Sequence, residues 1–150
     1  MAQAYNPKEL NQRLSMLMGR PINVGYQGGK MNPALTGDAN MSLGGKIHFA
    51  RDRYNQLLAA PKMSPGMALT LGILGHELGH FSTGGKAVGI PNATGGTDYP
   101  DPDEELKLAD QWGYTNMGRI LTALGMSPSY AKQIIKAHKT SRRLHGYDDS

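Results

Sequence analysis

The chain has 150 residues, a formal net charge of +4 and a hydrophobic fraction of 39%, which suits one domain, residues 1–150, whose core needs no covalent staples. It has no cysteine, which excludes disulfides, thiolate metal ligands and cysteine nucleophiles. The mild charge does not by itself argue for nucleic acid, no basic-then-apolar leader opens the chain, and the longest apolar run, around 67–74, is far too short to span a bilayer. A soluble protein with no signal peptide and no membrane partner is therefore expected, and a cytoplasmic or virion-associated location both fit.

Asn6-Pro7 reads as a helix N-cap followed by a proline in the first turn, and Leu10, Leu14, Leu17 and Met18 then recur at helical spacing until Gly19 and Pro21 stop it. The expected helix is Pro7 to Met18. Residues 19–45 are rich in Gly, Asn and Pro, with one alternating stretch, Ile22 to Tyr26, that suits a short strand. Lys46 to Ala50 alternates again; His48 should face away from Ile47 and Phe49 and be exposed. Asp52 to Ala60 reads as a short helix ended by Pro61. Ser64-Pro65 opens a central helix in which Met67, Leu71, Leu74 and Leu78 form an apolar stripe. Gly72, Gly75 and Gly79 each weaken that helix by roughly 1 kcal/mol relative to alanine; close approach of another backbone would account for them. Residues 82–102 carry five glycines and three prolines without a period, and a loop of that length suits a substrate groove. Asp101-Pro102 starts the next helix, with Asp103, Glu104 and Glu105 in its first turn. Leu106, Ala109, Gly113, Met117, Ile120, Leu121 and Leu124 make one face, and Gly125 ends it. Ser127-Pro128 caps a last helix running to about Leu144. Nine methionines against two phenylalanines point to a core filled by adaptable side chains.

The central helix contains His76-Glu77-Leu78-Gly79-His80, an H-E-x-x-H motif. Residues four apart lie on one face of a helix, so two imidazoles can address one metal ion while Glu77 beside them holds a water. Two histidines need a third protein ligand, and the segment 103–110 offers Asp103, Glu104, Glu105 and Asp110.

With its strand-like Lys46 to Ala50, this motif and a later Ala109-Asp110, the chain resembles the gluzincin branch of the zincin metallopeptidases over roughly residues 46–121. The resemblance implies an α+β, zincin-like fold: a small N-terminal sheet, the motif helix carrying the active site, and further helices after it. It also implies one Zn2+ per chain and hydrolysis of peptide bonds in a peptide or protein substrate. In the family a glutamate ligand lies four residues before such an aspartate, which in turn supports the first histidine. Here that position is Leu106. Two readings stay open for the third ligand. Asp110 shares the Leu106, Gly113, Met117 and Leu121 face and would point inward, where a metal would compensate a buried carboxylate. Glu105 has the longer reach and the family's usual residue type; Asp110 would then be a histidine's supporting partner.

The chemistry expected is proton abstraction from water by Glu77, attack on a carbonyl and proton return to the leaving amine, with no covalent intermediate. A second reading makes the zincin scaffold a structural or assembly module, for example a component of a phage or other large particle, with its metal mainly structural. Lys132, Lys136, Lys139, Arg142 and Arg143 fall within twelve residues of the last helix, which also carries His138, with His145 just beyond. A solvated face is the commoner origin of such a run, so surface roles are expected for these residues and nucleic acid is not an expected partner. Tyr99 and Tyr114 could donate to an oxyanion, though packing is the commoner role for each.

Overall fold

The computed structural model describes residues 5–26, 39–41, 46–83, 90–91, 97–98 and 102–144; at 39–41, 83, 90–91, 97–98 and 102–105 it describes the backbone alone. Helix α1, Pro7–Met18, begins where the Asn6 side chain accepts a hydrogen bond from Glu9 N at 2.8 Å, and stops at Gly19, whose φ of 67° closes the C-terminus through Ser15 O. Strand β1, Asn23–Tyr26, is tied to α1 by side chains: Ile22 N donates to Ser15 Oγ at 2.9 Å and Val24 N to Asn11 Oδ1 at 2.8 Å. Strands β2, Ala39–Met41, and β3, Lys46–Phe49, complete a three-stranded sheet in the order β1-β3-β2, with β3 parallel to β1 and antiparallel to β2. Ile47 and Phe49 are fully buried, while His48 between them is half-buried rather than exposed.

Helix α2, Arg51–Leu58, leads to α3, Pro65–Thr83, whose N-cap Ser64 Oγ accepts from Met67 N at 3.0 Å. Two short antiparallel strands, β4 (Ile90–Pro91) and β5 (Thr97–Asp98), follow within the stretch that the sequence left without a period. Helix α4 spans Pro102–Ala123, and Gly125, with φ of 73°, reverses the chain behind it. The proline-led final segment starts as a 3-10 turn, Pro128–Tyr130, before α5, Ala131–Leu144. Tyr5 donates its hydroxyl to Leu124 O and so pins the N-terminal segment to the end of α4. The architecture is α+β, mostly helical with a small sheet. No helix among the described residues is long and apolar enough to cross a membrane.

Helix α3 is the axis of the core. Met67, Leu71, Leu74 and Leu78 are fully buried, and His76 and Glu77 are nearly so. Gly72, Gly75 and Gly79 are buried with them, so the neighbouring helices must come close. Glycine makes that possible. A methyl group on Gly79 would sit 2.3 Å from Ala109 O and 2.8 Å from Ala109 Cα, and one on Gly113 would sit 2.8 Å from Gly75 C. The pairs Gly75–Gly113 and Gly79–Ala109 run in opposite directions along α3 and α4, each helix contributing small residues four apart, so the two helices lie antiparallel with their backbones in contact.

Gly79→Ala is expected to destabilise the protein by roughly 1–3 kcal/mol, because overpacking against backbone outweighs the gain in helix propensity. Gly118, also within α4, has only Pro128 Cβ near a would-be methyl, at 3.7 Å, so Gly118→Ala should be neutral or stabilising by up to about 1 kcal/mol. Urea midpoints of the two variants check this; equal effects would mean that the glycine seam does not set the helix separation.

Candidate metal centre

The antiparallel register that seats Gly79 on Ala109 also brings Asp110 beside His76. His76 Nδ1 lies 2.6 Å from Asp110 Oδ1, and both groups are buried. With the proton on Nδ1 donated to that carboxylate, Nε2 of His76 keeps its lone pair and points the other way. It meets His80 Nε2 at 2.9 Å, the two rings standing nearly perpendicular at 86°. Two nitrogen ligands of one tetrahedral zinc stand about 3.3 Å apart, so the two imidazole nitrogens face each other at slightly less than that spacing. Two ring nitrogens in that position suit either a shared proton or a shared cation.

Glu77 is buried on the same turn. Burial pushes its carboxyl above the ordinary glutamate value; His76, His80 and Arg142 pull it back and Asp110 pushes it further up, and burial prevails. Asp110 shows the opposite balance. Burial alone would raise it, but the hydrogen bonds from His76 and Arg142, with the charge of Arg142, hold it well below the usual carboxylate range. Arg142, on α5, grips Asp110 with two prongs: Nε donates to Oδ2 at 3.0 Å and Nη2 to Oδ1 at 3.1 Å. Nη2 also comes within 3.0 Å of His76 Nδ1. An Nδ1 that donates to Asp110 cannot accept from arginine, so this last approach is two donors sharing Oδ1. Both carboxylate oxygens of Asp110 are thus engaged on the side of His76 remote from the Nε2 pair.

A second histidine backs this network. His138 is buried, with Nδ1 2.7 Å from the Tyr114 hydroxyl, and its Nε2 is 3.9 Å from Asp110 Oδ1, too far for a hydrogen bond. Burial pushes its pKa down to about 4, helped by Arg142 and His76 and opposed by Asp110; the neutral ring therefore accepts from Tyr114. Gly72 makes room for it, since a methyl there would sit 2.8 Å from His138 Cβ.

The motif residues His76, Glu77 and His80 are brought together as the sequence implied, with Asp110 against them. Two expectations are corrected. His138 is not a surface residue, and Arg142 is not part of a solvated face; both point inward because α5 packs on α3 and α4 through Ile134, His138 and Arg142, spaced four apart. Ile134 marks the inward side of α5, and its helical phase carried forward one and two turns reaches His138 and Arg142. Tyr114 meets His138 rather than a substrate site. Leu106, at the family's ligand position, is half-buried and apolar. Glu105, Glu104 and Asp103 lie in the first turn of α4, but their side chains fall outside the described residues, as do Tyr99 and His145. Among the described residues no group of three or more His, Asp or Glu side chains is arranged to hold a metal.

No family model, no curated protein and no solved structure matches the chain.

Removing one partner of a buried ion pair leaves the other uncompensated, at a cost of roughly 3–5 kcal/mol when both are fully enclosed. The Arg142 side chain is 21% exposed and that of Asp110 2%, so Arg142→Met, which strands the carboxylate, should cost about 2–4 kcal/mol. Adding Asp110→Asn should recover much of the loss, the signature of coupled residues. Urea denaturation of the four proteins in the cycle measures this; a single variant within 0.5 kcal/mol of wild type, by the usual bound for an uninvolved surface site, would show the clamp to be unimportant.

Proposed function

We propose that the chain is a zinc-dependent, gluzincin-like metallopeptidase of minimal size with a zincin-like fold. The observation that carries this reading is the convergence of His76 Nε2 and His80 Nε2 at 2.9 Å, with His76 anchored from behind by Asp110 and Glu77 buried on the same turn. Zinc bound there would supply Lewis-acid activation of a water and of a peptide carbonyl. Glu77 would take the proton from the attacking water and return it to the leaving nitrogen. Asp110 fixes the tautomer and ring angle of His76, the usual work of a carboxylate behind a metal-binding imidazole. With both Asp110 oxygens occupied by His76 and Arg142, the third ligand is assigned to Glu105 rather than Asp110. The substrate is a peptide or protein.

A second reading rests on Leu106, an apolar side chain where the gluzincin pattern has its ligand: the scaffold is an assembly module whose metal is a staple. The two readings differ in one variant. Glu77→Gln keeps both imidazoles and removes the base, so it should retain about one zinc per chain and lose peptide hydrolysis by at least 10²-fold, the usual contribution of a general base. Zinc is measured by elemental analysis of protein purified without chelator, and cleavage by mass spectrometry of a peptide library. Zinc-loaded wild type that cleaves nothing returns the protein to the module reading, and folded wild type without stoichiometric metal refutes both.

The ligand assignment has its own measurement. Glu105→Gln should weaken zinc binding far more than Asp110→Asn, whose loss as an orienting partner should cost about 10–100-fold. Competition with a chromophoric chelator gives both affinities. The reverse order would make Asp110 the ligand.

A further inference from the structure

We propose that the outward face of α5 is a nucleic-acid-binding surface that grips the phosphate backbone without reading bases. The charge of the chain is unevenly placed. Helix α5 holds Lys132, Lys136, Lys139, Arg142 and Arg143 and no acid, whereas the first turn of α4 holds Asp103, Glu104 and Glu105. Asp110, the α4 acid that Arg142 grips, is buried, so α5 itself presents cations and no carboxylate.

The orientation of α5 is fixed by its inner side, where Ile134 and His138 are buried and Arg142 reaches Asp110. Lys132, Lys136 and Arg143 are consequently exposed, and Lys139 is half-buried with its Nζ 5.3 Å from the centre of the Tyr114 ring. From Lys132 to Arg143 the helix rises about 16 Å. Duplex DNA offers a phosphate about every 3.4 Å of axis along each strand, so the row can meet several consecutive phosphates.

The side chains between the cations decide which polyanion fits. Gln133 and Thr140 are exposed and polar, and both can donate to phosphate oxygens. An acidic protein partner would be expected to find a central apolar anchor, but the large exposed apolar side chains of this segment, Tyr130 and Leu144, stand at the two ends of the row. An anionic membrane would need an apolar wedge, and the apolar side of α5 is turned into the core. A uniform row of point charges with hydrogen-bond donors between them matches a phosphate backbone best.

Fluorescence anisotropy with the full chain and a short labelled DNA duplex of mixed sequence tests this. Binding should be insensitive to sequence, and log K should fall with log salt at a slope of about −3.6, from roughly four phosphates neutralised at 0.9 each. The variant Lys132→Gln, Lys136→Gln, Arg143→Gln should lose at least tenfold in affinity at low salt and keep the wild-type melting temperature, because its three positions are exposed. The control Lys8→Gln, Lys46→Gln, Lys62→Gln removes three exposed charges elsewhere and should bind like wild type. No binding at low salt, an equal loss in both triple variants, or binding to polyglutamate as tight as to the duplex would each overturn the proposal. None of these readouts depends on zinc or hydrolysis.

Discussion

The close contact of α3 and α4 is the constraint on which the rest of the structure depends. Two helices normally stand 8–10 Å apart, held off by their side chains. Here small residues on both helices remove that spacer: Gly75 and Gly79 on α3, Ala109 and Gly113 on α4. Each glycine weakens its helix by roughly 1 kcal/mol relative to alanine, a cost that an exposed helix would have no reason to carry. Its return is positional. A longer side chain in the seam would push α4 away, and Asp110 could no longer reach His76 at 2.6 Å. The seam and the site therefore share one register, with Gly79–Ala109 and His76–Asp110 as adjacent steps of it.

Burying four ionisable groups in one place is expensive unless they satisfy one another. His76, Asp110 and Arg142 do so in sequence: the carboxylate accepts from the imidazole and from two guanidinium nitrogens. Planar guanidinium geometry permits that two-pronged grip, and a lysine in its place would offer only a point charge. Glu77 lies outside the exchange. Its carboxyl is raised by burial while Asp110, a short distance away, is lowered by its partners. Two carboxyl groups with opposed environments in one small site is the arrangement by which proteins separate a proton-transfer group from a permanently charged one.

Local chemistry carried most of the element boundaries. Asn6-Pro7 and Ser64-Pro65 mark helix starts by a capping side chain and a fixed proline φ, and both operate as written in the structure; Gly19 and Gly125 mark ends because they adopt left-handed φ. What was not legible depends on partners distant in sequence. Strand β2 has no alternating pattern long enough to announce it and exists because β3 offers an edge. Lys132, Lys136, Lys139, Arg142 and Arg143 look alike as a sequence of charges; helical phase with Ile134 sets Arg142 apart, but its partner Asp110 is fixed only by the docking of α5. The motif itself was legible because two histidines on one helix face are a matter of local spacing. The orienting carboxylate, 34 residues away, was identifiable only as a candidate, since helical phase cannot tell a metal-facing side chain from one that faces the imidazole behind it.

Helix α5 belongs to the site rather than merely covering it. Its buried side chains are Ile134 and His138 alone, and burying one isoleucine contributes only about 1.5–3 kcal/mol. That is little to hold fourteen residues, given the backbone entropy lost per residue. The remaining hold comes from Ala131 and Ala137 packed against the core, from His138 packed on Gly72, and from two polar contacts directed at the site, His138 with Tyr114 and Arg142 on Asp110. The dependence runs both ways. Arg142 adds to His76 in keeping Asp110 ionised in the core, and Asp110 in turn gives α5 a polar anchor. The orientation of His76, the charge of Asp110 and the docking of the last helix are therefore one coupled arrangement. A chain of this size reaches it by placing its strongest polar contacts where a larger protein would place additional apolar core.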